Sequence, residues 1–392
     1  MKNLFILLLV CLFSFLLFTY KITEVPPGIN GDEAGIGYNS ILISRNLTDE
    51  NHNFLPLFIF AKGSDWKQPV TVYTTALFFR IFGVSYWLLR ATSIFFILVA
   101  LVILYLISKE FMGTNFFLIS SLILITTPIV LIQSHLALEN IAPLPFVLFW
   151  LWTTLKFEKT KKTYYLFWGG TSLGIGLFSY LGMRLIVPVL TFLTLIYLKK
   201  HIKQSIYFIL GISPFFLLLL VAYFRYPSAV FGNFSGATQS VYEFLLRYLS
   251  IFDFSFLFFK GDITAYHSTG KAGMFLAATL PLFLIGVFKI LCNKKPFEIL
   301  ILLSFFLSPI LFGLVPDIYR ASRLLALVPF YAIISAVGFL SISKKPWIIF
   351  FVIIMAINYF YFVKDYWFDY AERVKKVFPI PIERTYEFHI KE

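Results

Sequence analysis

Little of this sequence is charged. Asp, Glu, Lys and Arg make up 14% of its 392 residues, roughly half the share of an ordinary soluble domain. That is too little polar surface to coat a water-soluble particle. A soluble globular fold is therefore excluded, and apolar side chains must face lipid. Acidic residues are the scarcer kind, 20 against 33 basic, for a net charge of +13. In a soluble protein such a surplus points to nucleic acid. Here the basic residues fall between long apolar runs, where the positive-inside rule puts them, and no nucleic-acid partner is expected. There are two cysteines, Cys11 and Cys292, both inside apolar runs. They read as packing residues and say nothing of the redox compartment. Neither a phosphate loop nor a Rossmann glycine pattern occurs, so a nucleotide donor lacks its usual cradle. No internal repeat or low-complexity tract stands out.

What is abundant is apolar and aromatic: 59% hydrophobic and 20% aromatic residues, 49 of them Phe, with a mean hydropathy of +0.84. Spanning a bilayer takes about 20 apolar residues as a helix, which satisfies its own backbone hydrogen bonds. Candidate spans lie at 4–20, 86–108, 116–134, 141–155, 164–182, 184–198, 204–224, 272–292, 297–315, 322–342 and 346–363. The expected fold is all-α, a polytopic membrane protein with roughly eleven spans. The first run is expected to be an uncleaved helix, because Phe15 to Tyr20 offers no small-residue cleavage site.

Basic clusters at Lys156–Lys162, Lys199–Lys203, Lys289–Lys295 and Lys344–Lys345 are separated pairwise by two spans. One side of the membrane collects them all, and that side is the cytoplasm. The stretches 21–85, 135–140, 225–271, 316–321 and 364–392 then face outward. A membrane domain over 1–363 would thus carry two long outward loops, 21–85 and 225–271, and a short outward tail, 364–392. The apolar segment Pro69–Val84 would reverse every later cluster if it spanned. Parity predicts that it lies along the outer surface or enters only partly.

Outward polar residues are few. Asp32 and Glu33 follow a Pro- and Gly-rich break at the start of a predicted helix. Capping explains the pair without function, since acidic residues suit a helix N-terminus. The functional readings are a general base for an acceptor hydroxyl or ligands for a divalent cation, Mg or Mn. Asp65-Trp66-Lys67-Gln68-Pro69 follows. Lys67 reads as a snorkelling anchor or as a phosphate contact. His135 and Glu139 stand at i, i+4 and would share a face if helical; interhelical hydrogen bonding is the simpler reading and metal ligation the sharper one. Arg184, after Tyr180, is a charge in an apolar stretch, hence either functional or an interface residue at a turn. The second long loop supplies Asp262 and His267, and Arg320 and Arg323 stand near the outer end of a later span.

Carboxylates at one point and cations at several suit a lipid-phosphate sugar donor. Cations stabilise the charge developing on a departing phosphate, while a carboxylate takes the acceptor's proton. At these residues the chain resembles the protein O-mannosyltransferase and aminoarabinose transferase superfamily of GT-C membrane glycosyltransferases, over about residues 1–342. The resemblance rests on the order Asp32-Glu33, Lys67-Gln68-Pro69-Val70, Phe82-Gly83-Val84-Ser85 with Arg90, Pro128 through Glu139, Ser179-Tyr180 through Arg184 and Pro188, Gly261-Asp262 before His267, and Arg320-Ala-Ser-Arg323 before Pro329. It implies Asp32 as the catalytic residue, with Glu33 beside it, and Lys67 at the donor phosphate. Arg184, His267, Arg320 and Arg323 would share the phosphate, and Asp65, His135, Glu139, Tyr180 and Asp262 would complete the pocket. It also implies juxtamembrane helices in the first outward loop and a cavity at the outer face of the plasma membrane, taking an undecaprenyl-phosphate sugar and a glycan, lipid or protein acceptor, with inversion. Gln68 where the family has proline, His135 where arginine is common, and the short tail depart from the pattern and leave the acceptor open. The rivals are a flippase for lipid-linked sugars, an O-antigen polymerase or ligase, and a noncatalytic scaffold. Two sequons, Asn46-Leu-Thr48 and Asn233-Phe-Ser235, are short enough to arise by chance.

Overall fold

The computed structural model describes residues 2–61, 65–232, 238 and 240–379. The second sequon and residues 380–392 of the C-terminal tail lie outside the described residues. The chain opens with α1 (Lys2–Thr19), then α2 (Gly31–Asn46), a small hairpin of β1 (Ile59–Ala61) and β2 (Asp65–Lys67), and α3 (Pro69–Phe82). The helices α4 (Tyr86–Phe111), α5 (Thr114–Ile125), α6 (Pro128–Ser134), α7 (Pro143–Thr160), α8 (Tyr164–Gly176), α9 (Met183–Tyr197) and α10 (Ile202–Arg225) follow. Two short helices, α11 (Pro227–Phe231) and α12 (Val241–Ser250), lie in the second long loop. The last group is α13 (Leu280–Asn293), α14 (Pro296–Leu307), α15 (Val328–Leu340), α16 (Lys345–Lys364) and α17 (Tyr370–Val374). Proline opens α3, α6, α7 and α14, where its missing N–H costs no helical hydrogen bond.

Among the described residues, five helical stretches are long and apolar enough to cross a membrane: Tyr86–Phe111, Met183–Arg225, Pro296–Leu314, Ala321–Leu340 and Lys345–Val374. The pair α5 and α6, bent by 66°, makes a sixth if it is one span. Shorter apolar helices, Asn3–Thr19, Pro69–Phe82 and Ala277–Asn293, add to these. The tally differs from the roughly eleven expected because an apolar window ignores where helices begin and end. The windows 184–198 and 204–224 fall within one 43-residue stretch. A 3-10 turn at Leu198–His201, carrying Lys199 and Lys200, interrupts it. The window 116–134 is broken ahead of Pro128, since the residue before proline avoids helical backbone.

Burial separates centre from rim. Of its most apolar window, Ala321–Leu340 buries 89% and Tyr86–Phe111 72%, but Lys345–Val374 only 22%. The α15 stretch is therefore the middle of the bundle, and α16 presents most of its surface outward. The α8–α10 crossing shows how the helices close up. A Cβ at Gly170 would sit 2.2 Å from the Phe208 carbonyl oxygen, and one at Gly211 2.1 Å from that of Phe167. Small residues let backbones touch where lipid gives apolar faces no reason to associate.

Pro69–Val84 is mostly the 14-residue α3. At 1.5 Å per residue it runs about 21 Å, short of the roughly 30 Å hydrocarbon core. It packs beside α2, with Ser40 Oγ donating to the Val72 carbonyl at 3.1 Å.

Candidate active site

Adjacent carboxylates at the start of α2 part company. Asn30 caps the helix: its side chain accepts from the Glu33 N–H at 2.8 Å, while Glu33 Oε2 accepts from the Asn30 N–H at 3.3 Å. This is the reciprocal capping box. Glu33 is fully buried, its Oε1 3.1 Å from Arg90 Nε and accepting from the Ala137 N–H at 2.9 Å. Arg90, also fully buried, donates to the carbonyls of Ile22, Pro26 and Gly28. Glu33 thus ties three chain segments together and does not line the cavity described below. Asp32, one residue earlier, turns the other way with a 59% exposed side chain.

Opposite Asp32 comes Lys67. The β1–β2 register pairs Ile59 with Lys67 and Ala61 with Asp65, which brings the lysine stem under α2. Gly35 leaves the room: a Cβ there would lie 3.0 Å from Ala61 Cβ and 3.4 Å from Lys67 Cε. Lys67 Nζ reaches Asp32 Oδ1 at 2.5 Å and Asp65 Oδ2 at 3.6 Å. Burial works to lower the Lys67 pKa, but Asp32, Glu139 and Asp65 outweigh it and hold the ammonium above its ordinary value. Glu139 accepts a short hydrogen bond from the Gln68 N–H. Burial pushes its carboxyl up to about 8, against the pull of Lys67.

Arg184 stands in the first turn of α9, where the chain re-enters helix after the break at 177–182. It donates to the Ala229 and Val230 carbonyls and to Gln68 Oε1, and lies 4.9 Å over the Phe58 ring. Most of its donors are thereby spent on holding α11 and the Lys67 hairpin in place. Gln68, the departure from the family's proline, is what gives Arg184 this partner.

Arg320 and Arg323 face a single carboxylate, Asp317, at 3.7 and 3.4 Å. Arg323 also donates to the Pro316 and Asp317 carbonyls. Asp262 lies behind this segment. Its Oδ2 accepts from the Ala321 N–H at 2.5 Å and its Oδ1 from Thr264, so it fixes the arginines without lining the cavity. His267 Nδ1 lies 2.6 Å from Gln133 Nε2. With the amide donating, Nδ1 is the acceptor and Nε2 carries the proton. Burial holds this imidazole down at about 4, so it is neutral at neutral pH and offers a neutral donor rather than a cation.

These groups surround one cavity of about 560 Å³, lined by Asp32, Asp65, Lys67, Glu139, Tyr180, Arg184, His267, Arg320 and Arg323 among others. Glu33, His135 and Asp262 are not on its wall. His135 and Glu139 do not share a helical face, because α6 ends at Ser134 and Glu139 begins a separate 3-10 turn. His135 is fully buried, its Nδ1 2.8 Å from the Val25 carbonyl oxygen, and burial drives its pKa down to about 3. Among the described residues, no three His, Cys, Asp or Glu side chains converge as a metal site, and the Glu33 carboxylate is committed to Arg90 rather than to a site shared with Asp32. Sequence reasoning missed Trp66, Asn140, Asp317 and Ser322, which also line the cavity. Asp317 stood in an outward loop beside Arg320, and that proximity was the one signal for it.

Residues 66–224 match the dolichyl-phosphate-mannose-protein mannosyltransferase family. No curated protein sequence matches the chain. In fold, the chain is similar to ArnT from Cupriavidus metallidurans bound to undecaprenyl phosphate, with a TM-score of 0.64 at 14% identity over 89% of this chain and 62% of that one. The apo state of the same protein gives 0.62. The oligosaccharyltransferase of Archaeoglobus fulgidus, in complex with Zn and sulfate, gives 0.53 at 12% identity over 91% of this chain and 52% of that one. The chain thus spans under two thirds of the length of the proteins it resembles. Residues 66–224 thus carry the sequence pattern of the mannosyltransferase family, and most of the chain shares the fold of ArnT.

Proposed function

We propose that the protein transfers a sugar from a polyprenyl-phosphate donor to an acceptor hydroxyl, at the outer face of the cytoplasmic membrane. The observation that carries this reading is the Asp32–Lys67 pair in a cavity that Arg320 and Arg323 also line. Asp32 takes the acceptor's proton as the acceptor oxygen bonds to the anomeric carbon. The bond from that carbon to the phosphate oxygen breaks, and its electron pair leaves with the polyprenyl phosphate. Attack from the face opposite the phosphate inverts the anomeric centre. Arg320 and Arg323 meet the charge that grows on the leaving group, in the bidentate manner guanidinium allows. Lys67 holds Asp32 in place until the donor phosphate competes for its ammonium. The basic clusters, read as cytoplasmic by the positive-inside rule, support a cavity that opens outward, where lipid-linked donors are presented. Of the two carboxylates expected to hold a divalent cation, Asp32 faces the cavity and Glu33 is committed to Arg90.

The test is transfer by the purified full chain from a panel of polyprenyl-phosphate sugars. Transfer from at least one donor, lost in Asp32→Asn with donor binding kept, is the expected result. Movement of a lipid-linked sugar across a bilayer without transfer would replace this reading with a flippase.

A further inference from the structure

A second cavity, of about 380 Å³, lies away from the candidate active site, between the loop before α13 and the outer end of α16. Its walls include two π-helical turns, Ser255–Lys260 and Asp365–Asp369, the two found among the described residues. A π-turn gives up regular helical hydrogen bonding and is kept mostly where function needs it. Two of them facing one hollow mark it as a built feature.

Its lining is apolar on one side and charged on the other. Phe258, Phe275 and Phe362 form aromatic wall, and the charged lining is Lys271, Lys364, Asp365 and Asp369, with Arg373 beside Asp365. Asp365 is already neutralised: Arg373 grips both its oxygens, at 2.8 and 2.6 Å, and Lys271 adds a third contact at 2.9 Å. Lys271 keeps 61% of its side chain exposed, and Lys364 is exposed and in no ion pair among the described residues. The cavity therefore presents ammonium groups beside aromatic surface. It also sits at the right depth. Lys364 ends the helix that starts at the cytoplasmic Lys345, and that helix shows most of its surface to lipid.

We propose that this cavity binds the headgroup of an anionic phospholipid of the outer leaflet. The phosphate lies between Lys271 and Lys364, and the glycerol and first acyl carbons lie against the phenylalanines. A single phosphate touching both lysines would tie the loop that carries His267 to α16. Basic pockets at helix ends recognise lipid phosphates in this way, and the volume falls in the range of small-ligand sites.

The test uses delipidated full-length protein and native mass spectrometry, titrated separately with phosphatidylglycerol, diacylglycerol, undecaprenyl phosphate and inorganic phosphate. Phosphatidylglycerol should bind at least about tenfold more tightly than diacylglycerol. Lys364→Glu and Lys271→Ala should each weaken it by about tenfold or more, the loss expected for a contact to a charged group. Both lysines are exposed and Arg373 still pairs Asp365, so both variants should keep the wild-type thermal midpoint. Equal binding of diacylglycerol, or unchanged phosphatidylglycerol binding in both variants, overturns the proposal. So does displacement of the phospholipid by inorganic phosphate or, at lower concentration, by undecaprenyl phosphate. The readout is lipid binding, not sugar transfer, so it can fail while the proposed function stands, and the reverse.

Discussion

Two charged clusters on the wall of the main cavity differ in sign. In one, Asp32, Asp65 and Glu139 surround the single ammonium of Lys67. In the other, Arg320 and Arg323 share the single carboxylate Asp317. An anion is at home at the second and opposed at the first. On the proposed mechanism this divides the labour: the base in one cluster, leaving-group stabilisation in the other.

The largest expected effect is in the acidic cluster. Asp32→Asn keeps shape and removes proton affinity, and turnover should fall by roughly 10²–10⁴ with donor binding retained. Capping cannot produce that loss, because Asn30 and Glu33 make the capping box without Asp32. Normal turnover in this variant would remove Asp32 as base.

The neighbouring carboxylate should behave differently. Arg90→Ala leaves Glu33 buried and unpaired, and such a break costs about 3–5 kcal/mol. A thermal midpoint well below that of wild type, read in detergent, is the expected outcome. A midpoint near wild type with turnover abolished would instead move Glu33 into the chemistry.

Donor affinity sharpens the contrast between the clusters. Arg323→Ala and Lys67→Ala should each weaken polyprenyl-phosphate binding by roughly 10- to 150-fold, the worth of a charged contact of about 1.5–3 kcal/mol. Part of the Lys67 loss is repulsion from the carboxylates it leaves uncovered. In an Asp32→Asn background the Lys67 effect should therefore shrink, while the Arg323 effect stays as it was, because only groups in contact couple. Equal shrinkage of both would mean the cavity has one electrostatic region rather than two.

The smallest effect is a pH dependence. Glu139 has its carboxyl raised from 4.5 to about 8 in the fold, so its protonated form is the favoured folded form. Its ionisation makes stability decline as pH rises from 4.5 through 8. Glu139→Gln cannot ionise and keeps an acceptor for the Gln68 N–H. The variant's thermal midpoint should gain on wild type as pH climbs across that window and level off above it. A difference that does not vary with pH would show that Glu139 is not held protonated.

Some of this architecture was legible in the order of residues. The alternation of apolar runs with lysine clusters called for a helical membrane protein. The carboxylates and cations singled out in the outward segments include the charged residues that line the cavity, Asp317 apart, among them Asp32, Lys67, Glu139, Arg184 and Arg323. Spacing misled at His135 and Glu139, because i, i+4 means a shared face only while the helix continues, and α6 ends at Ser134. Nor could spacing show that Arg184 would spend its donors on backbone carbonyls.

What the sequence determined by itself is what depends on local chemistry: which stretches cannot face water, where proline starts a helix, and that Asn30 with Glu33 can cap one. What only the tertiary structure decided is which of two adjacent carboxylates faces solvent and which faces a buried arginine 57 residues away. A step of one residue along a helix turns a side chain by about 100 degrees, and the meaning of that turn depends on what the rest of the chain has packed on each side.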